Sequence, residues 1–138
     1  MRLRHVAPLF VLLASSGCGS GGDGRGQVAA ADRGSQVYGV HCASCHQRDG
    51  RGLSGAQPSL AGSATVAGDP IELIAWVMFG ERPASLQPRR GVVVMPQFAW
   101  LNDADLAAVL TYARSSFGND ATPVEASQVA AVRAGRKR

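Results

Sequence analysis

Aromatic residues and cysteines are scarce in this 138-residue chain, which has two Trp, two Tyr, four Phe and three Cys. This length leaves room for one domain with a small core. No internal repeat is visible, and strand patterns are weak throughout. Because no cysteine follows Cys45 and no histidine follows His46, the second ligand pair of a zinc site is missing. The apolar run Val6 to Ala14 is too short to span a bilayer.

The most informative segment is Cys42-Ala43-Ser44-Cys45-His46, a C-x-x-C-H pattern that is the attachment signature of c-type haem. The two thiols add to the vinyl groups of the haem, and the adjacent imidazole reaches the iron as its proximal ligand. In a helix Cys42, Cys45 and His46 share one face. A thioredoxin-like site would need a βαβ context, which is missing. The segment therefore predicts one covalent haem c, which can be the largest apolar object in the fold.

The N-terminal segment predicts export. Arg2 and Arg4 precede the apolar run, and small residues lead to Cys18. This resembles a bacterial lipoprotein signal (residues 1–17) with Cys18 as the lipidated residue, although Ser15 stands where such signals usually carry Leu. The alternative is an ordinary cleaved signal peptide, with Cys18 discarded or left as a free thiol. Either interpretation places the chain on the periplasmic side of a bacterial membrane.

Three further parts are expected after the signal. Residues 18–31 are rich in Gly and predict a flexible tether. Residues 32–120 form the predicted haem domain, and residues 121–138 a short C-terminal helix with a basic tail. The domain is near neutral, with seven basic and eight acidic residues between Asp32 and Thr122. The tail is expected to be a solvated helix end, or else to bind anionic lipid or an acidic partner.

Local signals place three main helices and a short fourth one. Asp32 is a plausible N-cap of the first helix, whose stripe includes the haem cysteines. The second is predicted from Asp69, with Pro70 at its first position, to Phe79, with Gly80 ending it. The third starts at Asn102 or Asp103, closes at Phe117 and is followed by Gly118. Thr122-Pro123-Val124-Glu125 is typical of a capping box for the fourth. The long loop Gln47 to Gly68 is expected to wrap the haem.

Met95 is the predicted distal ligand of the iron. It precedes Pro96, which biases it toward an extended geometry that suits a rigidly held ligand. Met78 lies on the apolar face of the second helix, where methionine usually fills the core. Met1 belongs to the signal. Ligation by His and Met raises the reduction potential and leaves no vacancy for oxygen, which favours electron transfer over catalysis. Ligation by Met78, or an open site, remains an alternative.

From about Asp32 to Asn119 the chain resembles a class I cytochrome c of bacterial type. The motifs that carry the resemblance are Gly34-x-x-x-Tyr38, the C-x-x-C-H segment, Asp49-Gly50-Arg51-Gly52, Pro58-Ser59-Leu60-Ala61-Gly62, Met95-Pro96-x-Phe98 and the segment 110–116. From Pro58 onward it is similar to the cytochrome c subunits of periplasmic dehydrogenases for alcohols and gluconate. Those subunits commonly carry three haem domains, whereas this chain has one C-x-x-C-H segment, which favours a stand-alone monohaem carrier.

The resemblance implies an all-α cytochrome c fold in which the first and third helices cross near the haem edge. Gly34 would permit their close approach, and Tyr38 and Tyr112 would pack nearby. Pro58 matches the residue whose carbonyl orients the proximal histidine, which would fix the tautomer of His46. The alternative is that Pro58 is an ordinary proline of the loop with no role at His46.

The leading hypothesis is a non-enzymatic electron carrier between a dehydrogenase or quinol-oxidising donor and a terminal oxidase or reductase. One alternative is a dedicated cytochrome subunit of one periplasmic oxidoreductase. Another is a ligand-binding or peroxidatic haem protein, which requires Met95 to be absent from the iron. No catalytic residue, nucleic acid or small-molecule substrate is expected.

Overall fold

The computed structural model describes residues 23–84, 86 and 94–136. This part of the chain contains helices and no strand, apart from one isolated bridge between Leu53 and Gln57. The all-α prediction is confirmed. The helices are α1 (Asp23–His41), α2 (Ala43–His46), α3 (Ala64–Ala67), α4 (Pro70–Phe79), α5 (Asp103–Ser115) and α6 (Ala126–Gly135). The predicted signal, Cys18 and the last two residues of the tail lie outside the described residues.

The crossing of α1 and α5 organises the fold. At Gly34 the two helices approach so closely that an added Cβ would lie 2.2 Å from the carbonyl oxygen of Ala108. Arg33 and Asp105 clamp the crossing with two hydrogen bonds of 2.6 and 2.9 Å. The absence of a side chain at Gly34 therefore sets the distance between these helices, as the resemblance implied.

Three aromatic rings pack beside this crossing. The ring of Tyr38 lies 5.4 Å from that of Tyr112 and 5.1 Å from that of Phe117, with tilted geometries that suit aromatic pairs. The hydroxyl of Tyr38 donates to the carbonyl of Gln47 at 2.7 Å. The cluster thus ties α1 and the end of α5 to the residue that directly follows α2.

The prediction for α4 is confirmed at both ends. The carboxylate of Asp69 accepts from the backbone N–H of Ile71 at 2.7 Å, Pro70 is the first helical residue, and Gly80 takes a left-handed conformation with φ of 74°. The helix buries one face of large apolar residues, which includes Leu73, Ile74, Val77 and Met78. Met78 is fully buried in the core, as predicted.

Helix α1 begins at Asp23, nine residues earlier than predicted. The prediction of a flexible tether is therefore wrong for residues 23–31, whereas residues 18–22 lie outside the described part. The physical reason is local, because the run Gln27-Val28-Ala29-Ala30-Ala31 contains three residues of the highest helix propensity.

Two other helix ends differ from their predictions. Helix α5 stops at Ser115, and both Phe117 and Gly118 then adopt positive φ angles of 59° and 78°. Helix α6 starts at Ala126, where Glu125 is the N-cap and forms the capping box with Gln128. The predicted capping box from Thr122 is therefore wrong. The predicted loop 47–68 also contains the single turn α3.

Candidate functional site

The C-x-x-C-H segment lies at the junction between α1 and α2. Helix α1 ends at His41, Cys42 forms a turn, and the N–H of Cys42 still donates to the carbonyl of Tyr38 at 2.9 Å. The N–H groups of Cys45 and His46 then donate to the carbonyl of Cys42 at 3.1 and 2.9 Å. This single turn presents two free, half-buried thiols, of which Cys42 packs against the apolar core. Burial raises the pKa of the Cys42 thiol to about 11.

His46 is buried, with only 8% of its surface exposed. Its Nδ1 lies 3.3 Å from the carbonyl oxygen of Pro58. Burial lowers the pKa of the imidazole, which favours the neutral ring. A neutral ring that donates from Nδ1 to Pro58 keeps a lone pair on Nε2, the form in which histidine binds a metal.

A tight loop brings Pro58 to His46. The N–H of Gly52 donates to the carbonyl of His46 at 3.0 Å, and the N–H of Leu60 donates to the carbonyl of Gly50 at 2.7 Å. Gly52 has a φ of 67°, and a Cβ there would lie 2.4 Å from the carbonyl oxygen of Gln57. Only glycine fits this position without strain, so the glycines of the Asp49–Gly52 motif shape the loop that brings Pro58 to His46.

Asn119, which follows the C-terminal end of α5, holds this loop by hydrogen bonds. Its Nδ2 donates to the carbonyls of Leu60 and Ala113 at 2.9 and 2.8 Å, and its Oδ1 accepts from the N–H of Ser63 at 3.1 Å. The side chain is buried. Sequence reasoning did not single out this residue, because an Asn after a helix and a Gly is typical of an ordinary turn.

Arg114 holds the next part of the same loop. It is only 2% exposed, and it donates to the carbonyls of Val66, Gly68 and Thr122 at 2.7, 2.8 and 2.7 Å. Burial lowers the pKa of its guanidinium. Sequence reasoning also missed Arg114, although its position four residues after Leu110 on the apolar stripe of α5 was a signal that could have found it.

The two candidate methionines occupy different surroundings. Met78 is fully buried among core side chains of α4. Met95 lies in an irregular segment, half-buried, and packs against the same apolar core that Cys42 contacts. Phe98 anchors this segment, because its side chain is buried and its N–H donates to the carbonyl of Val77 at 3.0 Å. The side chain of Met95 is therefore less buried than that of Met78.

His41 precedes the attachment cysteines but contacts a different group. Its ring lies 5.0 Å from the indole of Trp100 in an edge-on arrangement. Trp100 itself is 63% exposed, which is unusual for a large aromatic residue. This contact gives the ring of His41 a structural packing partner in Trp100.

The donor set fits a covalent haem. The segment offers two thiols three residues apart, which is the arrangement that thioether attachment requires. The adjacent imidazole is buried, favoured in its neutral form and fixed through Nδ1, which leaves Nε2 for iron. A thioether at Met95 packs against the same core as Cys42.

Comparisons with known proteins agree with this chemistry. The family model "Cytochrome c" matches residues 31–116. The chain is 39% identical over 104 residues to the gluconate 2-dehydrogenase cytochrome c subunit of Pantoea cypripedii, covering 72% of this chain and 24% of that protein. It is 38% identical to the fructose dehydrogenase cytochrome subunit of Gluconobacter japonicus, covering 75% and 22%. Cytochrome c-552 of Thermus thermophilus is 34% identical, covering 67% and 64%.

These matches differ in extent. The chain spans about a quarter of the length of the dehydrogenase subunits and about two thirds of that of cytochrome c-552. Among the described helices, none is long and apolar enough to cross a membrane. The match over most of the chain and the fit of the Cys-His segment lead to one conclusion: the chain belongs to the cytochrome c family of electron-transfer proteins with covalently bound haem c.

Proposed function

We propose that this protein carries single electrons on the periplasmic side of a bacterial membrane, with haem attached at Cys42 and Cys45, His46 as proximal ligand and Met95 as distal ligand. The observation that carries the proposal is the buried His46, whose Nδ1 lies 3.3 Å from the Pro58 carbonyl. When bound, the haem supplies the one-electron change between ferric and ferrous iron.

The protein residues tune and protect this chemistry. The hydrogen bond from Nδ1 to Pro58 fixes the ring orientation of His46 and raises its basicity. The thioether of Met95 would favour the ferrous state of a bound haem and would keep water and oxygen away from its iron. No side chain is needed as an acid, a base or a nucleophile, so we propose a carrier rather than an enzyme.

Two kinds of redox partner are compatible with this role. As a free carrier, the protein would accept electrons from a dehydrogenase or a quinol-oxidising complex and pass them to a terminal oxidase or reductase. As a dedicated subunit, it would stay bound to one oxidoreductase, and the names of its gluconate and fructose dehydrogenase relatives favour this second candidate. Gentle purification from the native membrane distinguishes them, because only a subunit keeps a stoichiometric partner.

The experiment that tests the ligand set is a visible spectrum of the exported protein, ferric and then reduced, with and without carbon monoxide. We expect a low-spin spectrum with a far-red sulfur-to-iron band and no response to carbon monoxide. A high-spin spectrum, or rapid binding of carbon monoxide, would replace the proposal with the ligand-binding or peroxidatic alternative.

We also propose that a lipid on Cys18 anchors the protein. The sequence around Cys18 is the support for this step. A Cys18→Ala variant should move from the membrane fraction to the soluble periplasmic fraction, whereas an ordinary cleaved signal peptide predicts the same soluble fraction for both proteins.

A further inference from the structure

Arg133 of α6 reaches across to the segment that follows Met95. Its Nη1 donates to the carbonyl of Ala99 at 2.5 Å, its Nη2 to the carbonyl of Leu101 at 2.7 Å, and its Nε to the carboxylate of Asp103 at 2.8 Å. All three bonds fall within five consecutive residues. The fork of the guanidinium therefore holds one short piece of backbone in a fixed conformation.

These bonds are better shielded than an ordinary surface ion pair. The side chains of Arg133 and Asp103 are 24% and 35% exposed. The two carbonyls have a charged donor, and hydrogen bonds to charged groups are stronger than neutral ones. Arg133 therefore does not belong to a solvated helix end, and that expectation for the basic tail is wrong at this residue.

The position of these bonds links α6 to Met95. Phe98, three residues after Met95, is anchored from α4 by the bond of its N–H to Val77. Arg133 fixes the backbone immediately beyond it, at Ala99 and Leu101. The segment that carries Met95 is thus secured from two helices. One of them, α6, lies beyond residue 116, where the match to the family model ends.

We propose that Arg133 is a positioning residue that restrains Met95 and thereby limits its replacement by external ligands. The proposal rests on the assignment of Met95 as distal ligand. Movement of the Met95 segment away from the core would strain or break the bonds that Arg133 makes to Ala99 and Leu101. A charged donor withdrawn from a partly buried carbonyl is costly, so these bonds oppose the opening.

The test compares full-length haem-loaded variants by titration with imidazole and by their far-red band. Arg133→Ala should bind imidazole about tenfold more tightly than the wild type, equivalent to about 1.4 kcal/mol. On heating, its far-red band should be lost at a lower temperature than the band of the wild type. Arg133→Lys should give an intermediate result, because one ammonium group cannot reproduce the fork. Arg136→Ala is the matched control at the C-cap of the same helix, since Arg136 instead pairs with Glu81 and lies over the ring of Phe79.

A second pair of variants separates restraint of Met95 from general destabilisation. In a Met95→Ala background there is no methionine to restrain, so adding Arg133→Ala should leave the imidazole affinity unchanged. If Arg133→Ala lowers stability in the Met95-containing protein but does not change imidazole affinity or the far-red band, the proposal is overturned. An equal gain in affinity in both backgrounds also overturns it.

The proposed ligation and the role of Arg133 can fail separately. A wild-type protein without the far-red band, with a spectrum that Met95→Ala leaves unchanged, overturns the ligation by Met95 and with it the role of Arg133. A wild-type band that responds to Met95→Ala but not to Arg133→Ala overturns the role of Arg133 alone.

Discussion

Replacement of Gly34 by alanine tests whether the contact between α1 and α5 sets the fold. The new Cβ would lie 2.2 Å from the carbonyl oxygen of Ala108 and 2.7 Å from the Cβ of Tyr112. Both atoms belong to the packed face of α5 and neither can rotate away, so the helices have to separate. Overpacking of this kind costs about 1–3 kcal/mol, against a gain of about 0.5–1 kcal/mol from the better helix propensity of alanine. Because the clash involves backbone atoms, the cost belongs at the upper end of its range, and we expect the free energy of unfolding to fall by about 2 kcal/mol after the gain is subtracted.

Gly39→Ala is the matched control, because Gly39 lies in the same helix and a Cβ there has nothing within 4 Å. We expect this variant to be neutral or to gain up to about 1 kcal/mol. Unfolding of the haem-loaded proteins in guanidinium chloride, followed by far-ultraviolet circular dichroism, measures both values. Equal stability of the two variants would refute the idea that α1 and α5 touch at Gly34.

Three further predictions concern the site and its support. Met95→Ala should lower the reduction potential and open the iron to external ligands, whereas Met78→Ala should cost about 2–5 kcal/mol of stability with an unchanged spectrum. A redox titration with spectra checks this, and the reverse behaviour would reject the ligand assignment. Arg114→Leu leaves three carbonyls without their donor and should cost about 2–4 kcal/mol in thermal unfolding, so a loss near zero would contradict this role. The hydrogen bond from Arg33 holds the pKa of Asp105 below its ordinary value of 3.8. This stabilisation is complete above the ordinary value and is lost as the pH falls through the folded-state pKa. Asp105→Asn should therefore make acid unfolding less steep below about pH 4, and a melting temperature that follows the wild-type pH dependence would count against the pair.

The fold was predictable where its signals are local. Helix α4 has Asp69 as N-cap, Pro70 as first helical residue and Gly80 as C-cap, and each residue adopts the conformation that its type favours at that position. The start of α6 was not predictable in this way. The carbonyl of Thr122 accepts from Arg114, and the N–H of Val124 donates to Thr111. These tertiary bonds keep residues 122–124 outside the helix, although the same residues would suit a helix start.

The attachment segment was predictable for a related reason. Cys42, Cys45 and His46 are neighbours in the sequence, so their chemistry can be recognised without knowing the fold. Pro58 is twelve residues beyond His46, and only the resemblance to a known family indicated it. The contact of its carbonyl with His46 depends on a loop whose shape follows from glycines with positive φ angles.

The composition of the loop around Pro58 explains why sequence reasoning missed the residues that hold it. The loop from Gln47 to Gly68 is rich in Gly, Ala and Ser, so it has few large apolar side chains to bury against the helices. Its buried backbone carbonyls nevertheless require donors. Asn119 and Arg114 supply them from the end of α5. The support of the proximal histidine therefore depends on buried polar groups whose partners are set by the folded chain. The apolar stripe of α5 marks the position of Arg114, but it does not indicate which carbonyls the guanidinium binds.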